Sequence, residues 1–260
     1  MIKNDIVPRL LEKLQTDFEE SIRNDAVLNG ILEKIRKGTA TYADANVFSV
    51  EAGKILSEVY KRHLLVAELP DGRLYYNIAK RIMNSTLKQN HALIAKTAAD
   101  VQTILNRAAN LGLEGIQAKV NQSRIDGLIA RIANAEDLEK ITWLFEEPIV
   151  NFSQSIIDDT VKANADFHAK AGLRPKIHRR EAGNCCDWCR ELVGVYEYPN
   201  VPKDVFRRHR FCRCTVDYHP GDGRRQNVHT KKWVDPEEKA RIEERKKIGL
   251  DILERVTKRR

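Results

Sequence analysis

All five cysteines of the 260-residue chain lie between positions 185 and 214. Cys186 and Cys189 are spaced C-x2-C, and after a further nineteen residues His209, Cys212 and Cys214 follow as H-x2-C-x-C. Two close pairs of soft ligands joined by a short loop are what a tetrahedral zinc ion needs. Gly183-Asn184 supply turn chemistry just ahead of the first pair. Cys186, Cys189 and Cys212 with either His209 or Cys214 would complete a four-ligand set, so all five are candidate metal ligands. Cys185 is the spare, because its C-x3-C spacing to Cys189 is less usual. Ligands numerous enough to fill every position predict a structural zinc rather than a catalytic one. Two other readings stay open. The cysteines could be small buried hydrophobes, or they could form a disulfide, which a cytosolic chain disfavours and an extracellular particle permits. Metal or disulfide would staple a small domain whose own core is thin.

Basic residues crowd around this knuckle. Arg207, Arg208, Arg210 and Arg213 stand among Phe206, Phe211 and Tyr218, with Trp188 and Trp233 on either side. Cations interleaved with aromatics suit nucleic acid, through phosphate contacts and base stacking; a solvated surface or an acidic protein partner would suit them equally. The net charge of +8 is unevenly placed: residues 1–172 sum to −1 and residues 173–260 to +9. A DNA contact is therefore expected in the back third. Charge reversal at Arg207, Arg208 and Arg210 should weaken it, and changes in residues 1–172 should not.

The elements that must carry the knuckle read as helices. Ile6, Leu10, Leu11, Leu14 and Phe18 form one stripe, and residues 42–66 and 74–110 form two more, separated by the turn Pro70-Asp71-Gly72. Gly112 and Gly115 look like the stop of the long helix. Segments at about 123–133, 136–146 and 149–171 follow, with Asn134-Ala135-Glu136 offering an N-cap. Alternation over 193–198 predicts a β-hairpin with Gly194 and Pro199-Asn200 as turns. The expected fold is mainly α: an elongated helical scaffold over 1–172, a zinc-knuckle α+β module over 173–234, and a charged helical tail over 235–260. His63, His91 and His168 stand alone, adjacent Asp158 and Asp159 diverge on a helix, and the body shows no catalytic constellation. No run of 18 apolar residues exists for a membrane span, and Met1 to Asp5 lack a signal-peptide core, so synthesis in the host cytoplasm is expected.

Arg180 through Tyr218 resembles the C-terminal signature of phage minor head proteins, the Mu F-like head-morphogenesis family. Cys186, Cys189, Leu192, Gly194, His209, Cys212, Arg213 and Cys214 carry the resemblance, over about 40 residues. Arg208 and Arg210 flank His209 where the family often has proline. The resemblance implies a minor capsid protein of the virion, located at the capsid interior or portal vertex. Its partners would be the portal protein, the major capsid protein and packaged DNA, with no membrane and no small-molecule substrate. Some members carry an enzymatic domain after the motif; about 27 residues follow Trp233, so no enzyme activity is expected. Two alternatives from other classes are a zinc-dependent nuclease using His209, His219 or His229 as base, and a zinc nucleic-acid-binding regulator. The first lacks a completing carboxylate constellation and the second lacks a recognition-helix module.

Overall fold

The computed structural model describes residues 5–135, 137–183 and 185–220, together with Ala240, Arg241 and Glu244. Among these residues the chain is mainly helical, with one small three-stranded sheet near the cysteines. Apart from those three residues, the expected tail, with Trp233 and His229, lies outside the described residues. No helix among the described residues is long and apolar enough to cross a membrane.

Helix α1 (Val7–Asn24) buries Val7, Leu10, Leu14 and Phe18, the stripe its spacing dictates. Asp25 ends it and immediately caps α2 (Ala26–Arg36), accepting a bond from Leu28 N at 2.8 Å. Sequence reasoning passed over α2, which is short and has Gly30 in its middle. Helix α3 (Tyr42–His63) opens with a capping box between Thr41 and Asp44, which satisfies two orphan backbone donors. A 3-10 turn at Pro70–Gly72 follows, with Asp71 and Gly72 both at positive φ.

Helix α4 (Tyr76–Ala108) runs for 33 residues. Its stop is Asn110, at φ 57, with Leu111 N bonded back to Asn106 O at 2.8 Å, rather than Gly112. Gly115 serves a different purpose: a Cβ there would lie 2.1 Å from the Ala99 carbonyl oxygen. The chain crosses α4 at that point without regular structure. Asn164 clamps the crossing by accepting from Ile116 N and donating to Ile116 O, both at 2.8 Å.

Helices α5 (Gln122–Ala133) and α6 (Glu147–Lys170) bracket a 3-10 turn at Glu139–Phe145. Asn134 closes α5 instead of opening the next element; Asp137 takes the capping bond, from Glu139 N at 2.9 Å.

The expected hairpin at 193–198 is one strand, β2 (Gly194–Glu197), and its partner is β1 (Lys176–Arg180). On the other edge of β1 lies β3 (Thr215–His219), giving the antiparallel order β2-β1-β3. Ile177 faces Tyr196 on one side and Tyr218 on the other. Charged residues fill most of β1, so it carries no alternating apolar signal.

Ile177, Val205, Val216 and Tyr218 join the same apolar core as the helices. His168 of α6 meets the Tyr218 hydroxyl through Nδ1. The described residues up to Pro220 thus form one compact unit. A separate small cluster consists of Cys189, Cys212 and Cys214, with Cys185 and Trp188 against it.

Candidate metal centre

Three pieces of chain deliver the soft ligands. The left-handed turn at Gly183, φ 58, leads into the short helix α7 (Asp187–Glu191), which brings Cys189 in one turn after Cys186. The loop between β2 and β3 brings His209. The approach to β3 brings Cys212 and Cys214, both buried.

Cys189 stands at the middle. Its Sγ lies 3.1 Å from His209 Nε2 and 3.7 Å from Cys212 Sγ, and Cys186 Sγ lies 3.2 Å from the same Nε2. Ligand atoms of Cys186, Cys189 and His209 all lie within 4.8 Å of one another, as do those of Cys189, Cys212 and Cys214, so each group could hold a metal ion. All five candidate ligands of the sequence reading are therefore brought together, in two triads that share Cys189. Cys185 packs against the cluster but belongs to neither triad, its thiol donating to Glu181 Oε2 at 3.3 Å. All five cysteines are free thiols.

His209 is oriented for coordination. Its Nδ1 lies 2.6 Å from the Arg210 carbonyl oxygen. A carbonyl can only accept, so Nδ1 carries the proton and Nε2 offers its lone pair to the sulfurs. Trp188 packs edge-on against the imidazole, with ring centroids 5.8 Å apart.

Burial, above all, pushes the Cys189 thiol up to about 12, with Arg179 opposing. A metal overrides such a shift, because a coordinating thiol loses its proton outright. Arg179 belongs to the site although no sequence pattern singles it out. It is 1% exposed and contributes to the interior face of β1. Its Nη2 donates to Cys189 Sγ at 3.7 Å, its Nη1 to the Val205 carbonyl, and its guanidinium lies 5.8 Å from the Trp188 ring centroid. Among the described residues it has no carboxylate partner, and its Nε makes no hydrogen bond.

The four arginines expected to face nucleic acid diverge. Arg208 is buried, with its side chain 4% exposed against the 1% exposed Asp158. It grips both Asp158 oxygens and donates to the Cys214 carbonyl and to Asn46 Oδ1. This corrects its assignment as a phosphate ligand: its charge is spent inside. Arg213 pairs with Glu147 through both nitrogens, at 2.5 and 2.9 Å. Arg207 is exposed and pairs with Asp204 at 3.0 Å. Arg210 lies over Trp143 and Phe211, 4.9 and 4.8 Å from their centroids. The adjacent Asp158 and Asp159 diverge as expected, Asp158 to Arg208 and Asp159 into a half-buried position where desolvation raises its carboxyl.

Compared with family models, curated proteins and solved structures, the chain matches none.

Proposed function

We propose that the knuckle is a structural zinc centre, held by Cys186, Cys189, His209 and Cys212, in a minor capsid protein of a phage head. The observation that carries the zinc reading is the buried Arg179 beside Cys189, which has no carboxylate partner among the described residues. An interior guanidinium needs a negative neighbour. Three thiolates and one imidazole on a divalent ion leave a net charge of −1, which Arg179 would neutralise. One pair already has the spacing: zinc–sulfur bonds of about 2.3 Å put two sulfurs ~3.8 Å apart in a tetrahedron, and Cys189 and Cys212 are separated by 3.7 Å, while Cys212 belongs to the other triad and would close in on Cys186 and His209 as the ion binds. Bound zinc would tie α7, the His209 loop and the start of β3 to one point, and would perform no chemistry. Cys214 remains the buried fifth thiol.

The assembly role rests on the resemblance between Arg180–Tyr218 and the head-morphogenesis signature, on a helical body suited to protein contacts, and on the basic back third. The portal and major capsid proteins are its proposed partners and packaged DNA a third. The nuclease alternative fits less well, because both nitrogens of His209 are engaged, one by sulfur and one by a carbonyl.

The test of the assembly role is made in the phage. Replacing Cys189 by Ser should leave portal and major capsid protein expressed but lower the yield of DNA-filled heads. Unchanged head yield would overturn it. Plasmid cleavage by the purified protein with added divalent metal, abolished in His209→Ala, would favour the nuclease instead.

A further inference from the structure

A groove of about 580 Å3 opens between α5, the 3-10 turn, the start of α6 and the His209 loop, and no cysteine lines it. Arg124 and Arg131 lie seven residues apart on α5, so the helix presents both on one face. Arg210 reaches in from the loop. Among the described residues, none of these three arginines pairs with a carboxylate; Asp159 feels the charge of Arg124 without bonding to it.

Trp143 holds two of them in place. The guanidinium of Arg131 lies 5.5 Å from its ring centroid and that of Arg210 lies 4.9 Å away. Stacking on a ring fixes the guanidinium plane and leaves its edge N–H donors free, a fork that matches phosphate oxygens. Asn151 also lines the groove and donates through its side-chain nitrogen to the His209 carbonyl, tying the loop to α6. Next to Arg210, Phe211 takes φ 63, a conformation rare for an aromatic residue, and its side chain is among the large apolar groups left in solvent, 62% exposed.

Three cations without carboxylate partners among the described residues, two of them stacked on Trp143, and an exposed ring beside them point to one ligand chemistry. We propose that this groove binds the phosphodiester backbone of single-stranded nucleic acid, with Arg124, Arg131 and Arg210 on phosphates and Phe211 stacking on a base. Most of the groove wall belongs to the helical body, and the basic back third contributes Arg210 and Phe211. An acidic peptide would satisfy the cations but would leave the ring at Phe211 without a use.

Binding of a fluorescently labelled oligothymidylate of about 12 nucleotides to the full chain, followed by anisotropy near 0.1 M salt, tests the proposal. Replacing Arg124 and Arg131 together by Glu should weaken binding at least ~10-fold, and Phe211→Ala about 5-fold or more. Arg207→Glu, which lies outside the groove, should change it less than about 2-fold. The Arg124→Gln, Arg131→Gln pair repeats the measurement without charge reversal, and thermal unfolding checks that each variant folds. A groove variant that weakens binding no more than Arg207→Glu would overturn the proposal. So would polyglutamate displacing the oligonucleotide as well as unlabelled oligothymidylate does, which would assign the groove to an acidic protein.

Discussion

Arg179 and Arg208 put two guanidinium groups into the interior within reach of the cysteine cluster, for different reasons. Arg208 has its counter-charge in Asp158, and the pair bridges α6, α3 through Asn46, and the Cys214 backbone. Removing one member of a buried pair strands the other charge. Arg208→Ala should therefore lower the unfolding free energy by about 3–5 kcal/mol in urea titrations, whereas Arg207→Ala, at an exposed pair, should cost under ~1 kcal/mol. Equal costs would contradict the burial argument. Among the described residues Arg179 has no such carboxylate and stands against Cys189 sulfur. Arg179→Gln should weaken zinc binding about 10-fold or more in competition with a chromophoric chelator, and Arg180→Gln, on the exposed side of β1, should not.

Two elements, α3 and α6, hold the body together, and Gly53 shows how closely. A Cβ at this position would lie 2.8 Å from Ser153 Oγ and 2.9 Å from Val150 Cα. Gly53→Ala should destabilise the protein by about 1–3 kcal/mol, although alanine is the better helix former; a gain in stability would contradict this packing. Helix α6 also meets β3 through His168, whose burial pushes its imidazole down to about 4 from an ordinary value of 6.5. The folded state thus holds the neutral ring. The contribution of His168 is full above pH 6.5 and is lost as pH falls from 6.5 toward 4, where the unfolded chain binds the extra proton. Urea midpoints of chelator-treated protein should fall across that window and fall less in His168→Gln; parallel declines would remove His168 as the cause. The long helices were legible because stripes such as Leu10, Leu14 and Phe18 recur at helical spacing, and the ligand cluster was legible because its spacing is metal-like. Strand β1 was not, since Lys176, His178, Arg179 and Arg180 hide a strand whose interior side chains include a cation. Nor was the stop at Asn110, which takes the left-handed conformation that a sequence reader assigns to glycine. The roles of Arg208 and Arg213 depended on Asp158 and Glu147, 50 and 66 residues away in the chain, and no local pattern reports such a pairing.

For the molecule as a whole, the split of −1 and +9 does not translate into a uniformly basic end. Asp158 and Glu147 of the near-neutral front pair with Arg208 and Arg213 of the basic back, and Asp217 takes Arg180. Charge is thus used to join the knuckle to the body within one compact unit, while cations left without carboxylates gather around the Trp143 groove. On this account the knuckle is a staple whose loss would loosen the join rather than abolish a reaction. The most direct measurement is the metal content of the freshly purified, reduced full chain by elemental analysis, with each candidate ligand replaced in turn. The account predicts about one zinc per chain, retained in Cys185→Ser and Cys214→Ser and lost in Cys189→Ser and His209→Ala. Less than about half a zinc per chain, or retention in Cys189→Ser, would contradict it.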